Sequence, residues 1–539
     1  MNRNFLLAAL TLTTVAGLWI TTRDTAAQVA TPAAQATAAG KSSGPDWAMW
    51  AGTPGRNMVS AEKNPPIEFD PGKKLKGKDE VDLATTKGLK WATRLGSQAY
   101  GTVVVSDGKV LLGTNNENPF DSKYQIKNKD TGKVVAEDRS VVLCLDEKTG
   151  QMIWQFASPK LGTGKVSDWE YLGICATATV EGKYVYIPTN RCEVVCLDIA
   201  GLKDGNQGMQ DEAKYLSSPD NKIQATGDTD ADIIWTFDMR EECGVFPHNT
   251  TSSNILIVGE KLYVTTSNGV DWTHTNIPAP EAPSLICLDK KTGKLLGEDG
   301  SGISQKDRML HCSWSSPALA KKDGKEQIIF AAGDGLVYGY DLTFKKDGEF
   351  DIINELWRVD ANPKEYRVDD TGKKRAYNTY EGPSEIIATP VIYKDRVYVP
   401  VGQDPEHGEG KGCMNCIDLA GKIVWTFKEI NRSISTPAIV DDIVYVADYS
   451  GLIYALDAST GVLLSKYDTK GHIWGSTLYV DGKIYIGNEE GELHILKAAK
   501  QLEKVAVIDF PGSLFATPVY ANGTLYIQTM SQLYAFGVK

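Results

Sequence analysis

The chain has 539 residues, 42% hydrophobic and 23% charged, with 51 glycines and 12 tryptophans, the make-up of a globular protein with a sizeable core. Its 57 lysines and arginines against 69 acids give a net charge of -12 with no basic block, which excludes nucleic-acid binding by phosphate neutralisation. Length alone allows two or three ordinary domains or one long repeat unit.

Arg3 precedes a largely apolar run from Phe5 to Ile20, followed by the small residues of TAAQVATPAAQATAAG. Residues 1–24 therefore read as an export signal, either a cleaved leader or an uncleaved N-terminal membrane anchor. Both forms place the protein outside the cytoplasm, in the periplasm or cell envelope. Residues 25–44, rich in Ala, Thr and Ser, read as a flexible linker and 45–87 as a lead-in segment.

From 88 to 539 the chain repeats itself. VVLCLD at 141–146 returns as EVVCLD (193), SLICLD (284), LVYGYD (336), CMNCID (413), LIYALD (452), ELHILK (492) and QLYAFG (532). Each copy follows a hairpin of two β-branched-rich runs around a tight turn, as in STPAIVDDIVYVAD from 435. Many copies are followed by a turn such as DEKTGQ or DASTGV and a fourth strand carrying Trp154, Trp235, Trp357 or Trp425. Repeated four-stranded units bury both sheet faces by radial packing. The expected fold is all-β, an eight-bladed β-propeller of four-stranded antiparallel blades. The last unit has three strands, and GLKWATRL at 88–95 supplies the fourth, closing the ring with an N-terminal strand.

The recurring LD..TG...W pattern resembles the pyrroloquinoline-quinone (PQQ) repeat of the quinoprotein alcohol dehydrogenase-like propellers, which include a non-catalytic outer-membrane assembly propeller. DWAMWAGTPGRNMVS (46), TNRCEVVCLD (189), GVFPHN (244), TSNGVDWTH (266) and GQDPEHGEG (402) are similar to a planctomycete-type group of exported PQQ-like propellers. The resemblance covers about 88 to 539 and implies a fold rather than a reaction.

Two motifs dissolve in the repeat register. Cys413 and Cys416 form a CxxC, but residues three apart on a strand point to opposite faces, so a shared disulfide or metal is not expected there. Haem attachment is excluded because Ile417 stands where the histidine would be. His494 takes the place of Tyr338, Tyr454 and Tyr534 and reads as structural. The acids of GDTDADI (227–233) read as a solvated turn.

Counting strands puts the B–C and D–A loops on one face, with five of the six histidines: His248, His274, His311, His407 and His472. Asn190, Arg191, Asn249, Asp271, Trp272, Trp314, Gln403, Asp404, Glu406, Arg432 and Trp474 share that face. Polar and aromatic loops converging on a rigid scaffold are the usual form of a ligand site. Asp404, Glu406 and His407 offer oxygens and an imidazole to a transition ion or calcium, against the plain reading of a self-bonded turn.

Repeats without catalytic motifs point to an envelope binding or scaffold protein that recognises a small molecule or an envelope protein through this face. The alternative is a PQQ-dependent oxidoreductase of alcohols or aldehydes. There the resemblance implies PQQ with calcium over the axis and an Asp base, for which Asp271 and Asp404 are the candidates. The chain departs from that pattern in lacking an adjacent Cys-Cys pair, a haem CxxCH and a matchable calcium or base motif. The insertions at 115–140, 200–231 and 361–384 read as partner contacts or as decoration.

Overall fold

A computed structural model describes residues 46–77, 80–249, 252–305 and 308–537. The expected export segment and linker lie outside the described residues. Among the described residues no helix is long and apolar enough to cross a membrane.

Among the described residues the strands pair into four-stranded antiparallel units, eight by this count with two of them joined into one eight-stranded sheet, the architecture of a β-propeller. The blades run over 104–159, 179–238, 256–298, 318–360, 391–427, 438–468 and 478–509. The eighth joins 519–536 to Leu89–Arg94. In that closing pair Ala535 stands opposite Trp91 and Gln532 opposite Arg94, so the strand from the N-terminal side completes the ring as expected.

The repeat phrase has a packing reason. At the centre of strand C sits a small residue, flanked in register by an aromatic of strand B and a Trp of strand D. Cys196 lies between Tyr186 and Trp235, and Cys416 between Tyr398 and Trp425. Each strand D Trp then docks on a glycine turn of the next blade, at Gly150, Gly201, Gly293, Gly421 or Gly461. Trp91, Trp154 and Trp425 donate their Nε1–H to Glu147 O, Ile199 O and Ala458 O at 2.9, 2.9 and 3.0 Å. At Gly461 the backbone has φ +73°, and an added Cβ would stand 2.5 Å from the Trp425 ring. Gly461→Ala is therefore expected to cost about 2 kcal/mol in urea unfolding, by overpacking and left-handed strain together.

Blade 3 has no strand D Trp, and blade 4 has no TG turn. There the two sheets fuse instead, with Glu298 paired in parallel to Ile352, and Phe344 packed where a side chain at Gly297 would go.

Cys413 and Cys416 are fully buried in different clusters, Cys413 with Val397 and Val399, Cys416 with Tyr398 and Val444. The opposite-face reading of the CxxC holds. His494 is buried too, beside Tyr467 Oη and Glu492 at 3.2 Å each. GDTDADI is corrected: Asp230 is fully buried, 2.5 Å from Lys123 Nζ, and Asp232 is buried beside it. The 115–140 and 200–231 insertions pack on one another, and that contact takes the acid out of water. Asn221 Nδ2 adds a bond of 2.9 Å to Glu137.

Two features shape the axis. Thr102, Thr177, Asn254, Ser316, Thr389, Thr436, Ser476 and Thr517 occupy one register position just before strand A. In six places the backbone N–H of one donates to the side-chain oxygen of the next, at 2.7–3.2 Å. The result is a polar ring that locks neighbouring blades. Below it runs the lead-in segment, which touches all eight inner strands. Trp47 bonds Val105, Ala48 O accepts from Val180, Pro54 O from Leu319, Gly55 O from Ile392 and Met58 O from Tyr479. Asn57 takes both backbone groups of Ile439, and Ser60 Oγ reaches Tyr520 O. Arg56, with no exposed surface, spans to blades 3 and 4 through Ile255 O and Pro317 O, each at 3.0 Å. Residues 46–60 thus plug the axis at the A–B turn end.

Candidate functional site

Above the plug lies an axial cavity of about 510 Å³. Its floor is Trp50, whose Nε1–H donates to Thr389 Oγ1 at 3.1 Å. Because extended chain alternates faces, the residues two before the polar ring also point inward. This second ring carries Tyr100, Trp314, Trp474 and Phe515, all on the cavity wall with Trp169. The aromatic groups pack as a set: Tyr100 stacks on Phe515 at 5.8 Å, and Trp474 lies 4.9 Å from Phe515. Asp404 and Glu406 are the charged residues of the wall, and no Lys or Arg is among the described lining residues.

Beside the cavity four histidines meet. His248 and His311 are buried at 3% and 2% exposure, and His274 and His407 are exposed. Ring centres of His248, His274 and His311 are 5.1–5.2 Å apart, and His407 Nε2 lies 3.0 Å from His311 Nε2. Each comes from a different connection, two D–A loops and two B–C loops of blades 2 to 5. Trp314 is the partition: its ring stacks on His311 at 5.2 Å and 27° and also lines the cavity.

Glu385 supports the cluster from behind. It has no exposed surface, its Oε1 accepts the Leu310 and His311 backbone N–H at 3.0 and 2.5 Å, and its Oε2 sits 3.1 Å from His311 Nδ1. Burial pushes its carboxyl up to about 8, against those two N–H donors. Burial likewise pushes His248 and His311 down to about 3, so both are neutral imidazoles at physiological pH.

Of the residues expected on this face, Asn249, Trp314, Asp404, Glu406 and Trp474 line the cavity, and His248, His274, His311 and His407 form the cluster. The others stand apart. Asn190 donates to Pro159 O and Asp168, and Arg191 pairs with Glu193 at 3.1 Å. Asp271 is half-buried and held low by the Thr273 and Asn276 donors of its own turn. Trp272 stacks on Trp169 at 6.0 Å. Gln403 is buried, and Arg432 ties Ser384, Thr379 and Glu409 together. His472 stacks on Tyr449 at 4.4 Å, away from the four. Asp404 also caps its own turn, accepting Glu406 N at 2.9 Å.

Sequence reasoning passed over Trp50, Tyr100, Trp169, Phe515 and Glu385. A signal for the last existed: Glu385, Arg432 and His472 all stand four residues before the polar ring, and only the latter two had been singled out.

A propeller plugged at one end, with an aromatic axial cavity and a histidine cluster at the other, defines the class of protein. The chain belongs to the PQQ repeat family whose model is described as "Outer membrane protein assembly factor BamB", matched over 137–310 and 354–538, well over half of its length. The outer membrane protein assembly factor BamB of Shewanella oneidensis is 29% identical over 79 residues, 14% of this chain and 20% of that relative's length. BamB from Moraxella catarrhalis matches in structure with TM-score 0.49 and 14% identity, covering 84% of this chain and 97% of that one. Quinohemoprotein alcohol dehydrogenase from Comamonas testosteroni matches with TM-score 0.49 and 14% identity, over 92% and 80%.

Proposed function

We propose that the protein is a binding propeller of the cell envelope that takes a small organic cation in its axial cavity. The observation that carries this is the wall itself: three Trp, a Tyr and a Phe with two carboxylates, and no Lys or Arg among the described lining residues. Aromatic faces attract cations, more so when desolvated, and Asp404 and Glu406 add charge of the right sign at the mouth. The placement in the envelope rests on the sequence leader and on membership of a family named for outer-membrane assembly.

The alternative, an oxidoreductase using PQQ, meets a poor fit. That quinone carries three carboxylates, and the wall would set them against Asp404 and Glu406 with no lysine or arginine to receive them. Titration of the purified full chain with choline, followed by tryptophan fluorescence and calorimetry, tests the reading. One saturable site, with no binding of PQQ in the presence of calcium, is expected. Stoichiometric PQQ binding with dye-linked alcohol oxidation would overturn it.

A further inference from the structure

We propose that His248, His274, His311 and His407 form a site for one divalent transition ion of the zinc or copper class, at the rim of the axial cavity. This goes beyond the organic-cation reading and does not depend on it.

The geometry is that of a common ligand sphere. Three imidazoles on one tetrahedral ion, with bonds of about 2.1 Å and ring centres a further ~1.1 Å out, hold their centres about 5.2 Å apart. Here the 248–274, 248–311 and 274–311 centres are 5.2, 5.1 and 5.2 Å apart. Their ligating nitrogens lie within 4.8 Å of one another, and the soft χ2 torsion of each ring lets them converge further. The fourth, His407, has its Nε2 at 3.0 Å from His311 Nε2. Two ligands about 2.1 Å from one tetrahedral ion stand ~3.4 Å apart, a spacing this pair reaches by a small ring rotation. A hydrogen bond would account for the 311–407 pair alone and leaves the convergence of the other two rings without a cause.

The surroundings orient the rings as ligands. His248 Nδ1 lies 2.8 Å from Val270 O, and a carbonyl only accepts. Nδ1 therefore carries the proton and Nε2 keeps its lone pair. His311 Nδ1 faces Glu385 Oε2, and Glu385 is itself fixed by two backbone N–H donors. A carboxyl group held behind a ligating imidazole in this way fixes the ring's orientation. Ligand type selects the ion: convergent imidazoles suit zinc, copper, iron or nickel, whereas calcium asks for six to eight oxygens. With His248 and His311 buried and His274 and His407 exposed, the ion would sit at the boundary between the protein interior and solvent.

The test uses the full chain, stripped with chelator, titrated with Co2+ as a coloured probe and then with Zn2+. One Co2+ per chain with visible ligand-field bands, displaced by one Zn2+, is expected. His407→Ala and His274→Ala change exposed residues and should fold normally; each is expected to weaken binding at least ~10-fold and to alter the bands. Glu385→Gln should weaken binding about 10–100-fold. His472→Ala, outside the cluster, should change nothing. No stoichiometric binding at 100 µM Co2+ or Zn2+, binding unchanged in both exposed-histidine variants, or sulfur-to-cobalt charge-transfer bands would each overturn the site. Choline titration of the stripped protein reads the organic-cation proposal separately.

Discussion

Arg56→Met is expected to cost about 3–5 kcal/mol of unfolding free energy, among the largest losses available to a single substitution outside the blades. The side chain has no exposed surface, and its three nitrogens donate to Pro317 O, Trp50 O and Ile255 O at 3.0 Å each. Burial pushes the guanidinium down to about 9. Methionine keeps most of the volume, so the cost comes from three carbonyls left without donors in a place water does not reach. Lysine should rescue only in part, because one ammonium on a flexible stem does not match a planar fork spread over two blades and the plug. The loss should also reach the cavity. Trp50 is both an Arg56 partner and the cavity floor, so choline affinity should fall along with the urea midpoint. A midpoint within about 0.5 kcal/mol of the parent would mean that the other plug contacts hold the segment without Arg56.

That prediction could not have been reached from the sequence, and the reason is physical. The blades were legible because eight copies repeat the same register, and each copy corrects the reading of the others. Cys416 was placed correctly because seven equivalents say what the position needs. Residues 46–60 have no repeat and no period. They bond eight different inner strands in succession, a pattern set by the ring's curvature and not by neighbours in sequence. The loop face was legible by counting strands, and that count brought five histidines to one side. Which four would meet depended on loop conformation: His472 enters from the connection between blades 6 and 7, farther round the ring, and stacks on Tyr449 instead. Glu385 was hidden by its ordinary look in SEIIATP, and Asp230 by the polarity of its neighbours. Both acids are buried by partners distant in sequence, His311 for one and Lys123 for the other.

The charge of the cavity wall gives the second large effect. Asp404→Asn with Glu406→Gln is expected to lower choline affinity roughly 30–100-fold, while the uncharged isostere 3,3-dimethylbutan-1-ol loses less than about threefold. The two carboxylates act on the ligand's charge and the aromatic ring acts on its shape, so the pair of probes separates them. Trp314→Ala and Trp474→Ala should therefore do the opposite and weaken both probes together, by about 10-fold each. Salt discriminates further: partly exposed carboxylates are screened, so raising ionic strength should erode choline binding in the parent and leave the double variant nearly unchanged. A divalent ion on the four histidines would offset the charge of Asp404 and Glu406, because burial pushes the Glu385 carboxyl up to about 8 and leaves it neutral near pH 7. Choline should then bind the stripped protein more tightly than the metal-loaded one. Equal losses for the two probes in the double variant would show that the carboxylates shape the loop without meeting the ligand's charge, and the cavity would then be one for a neutral molecule.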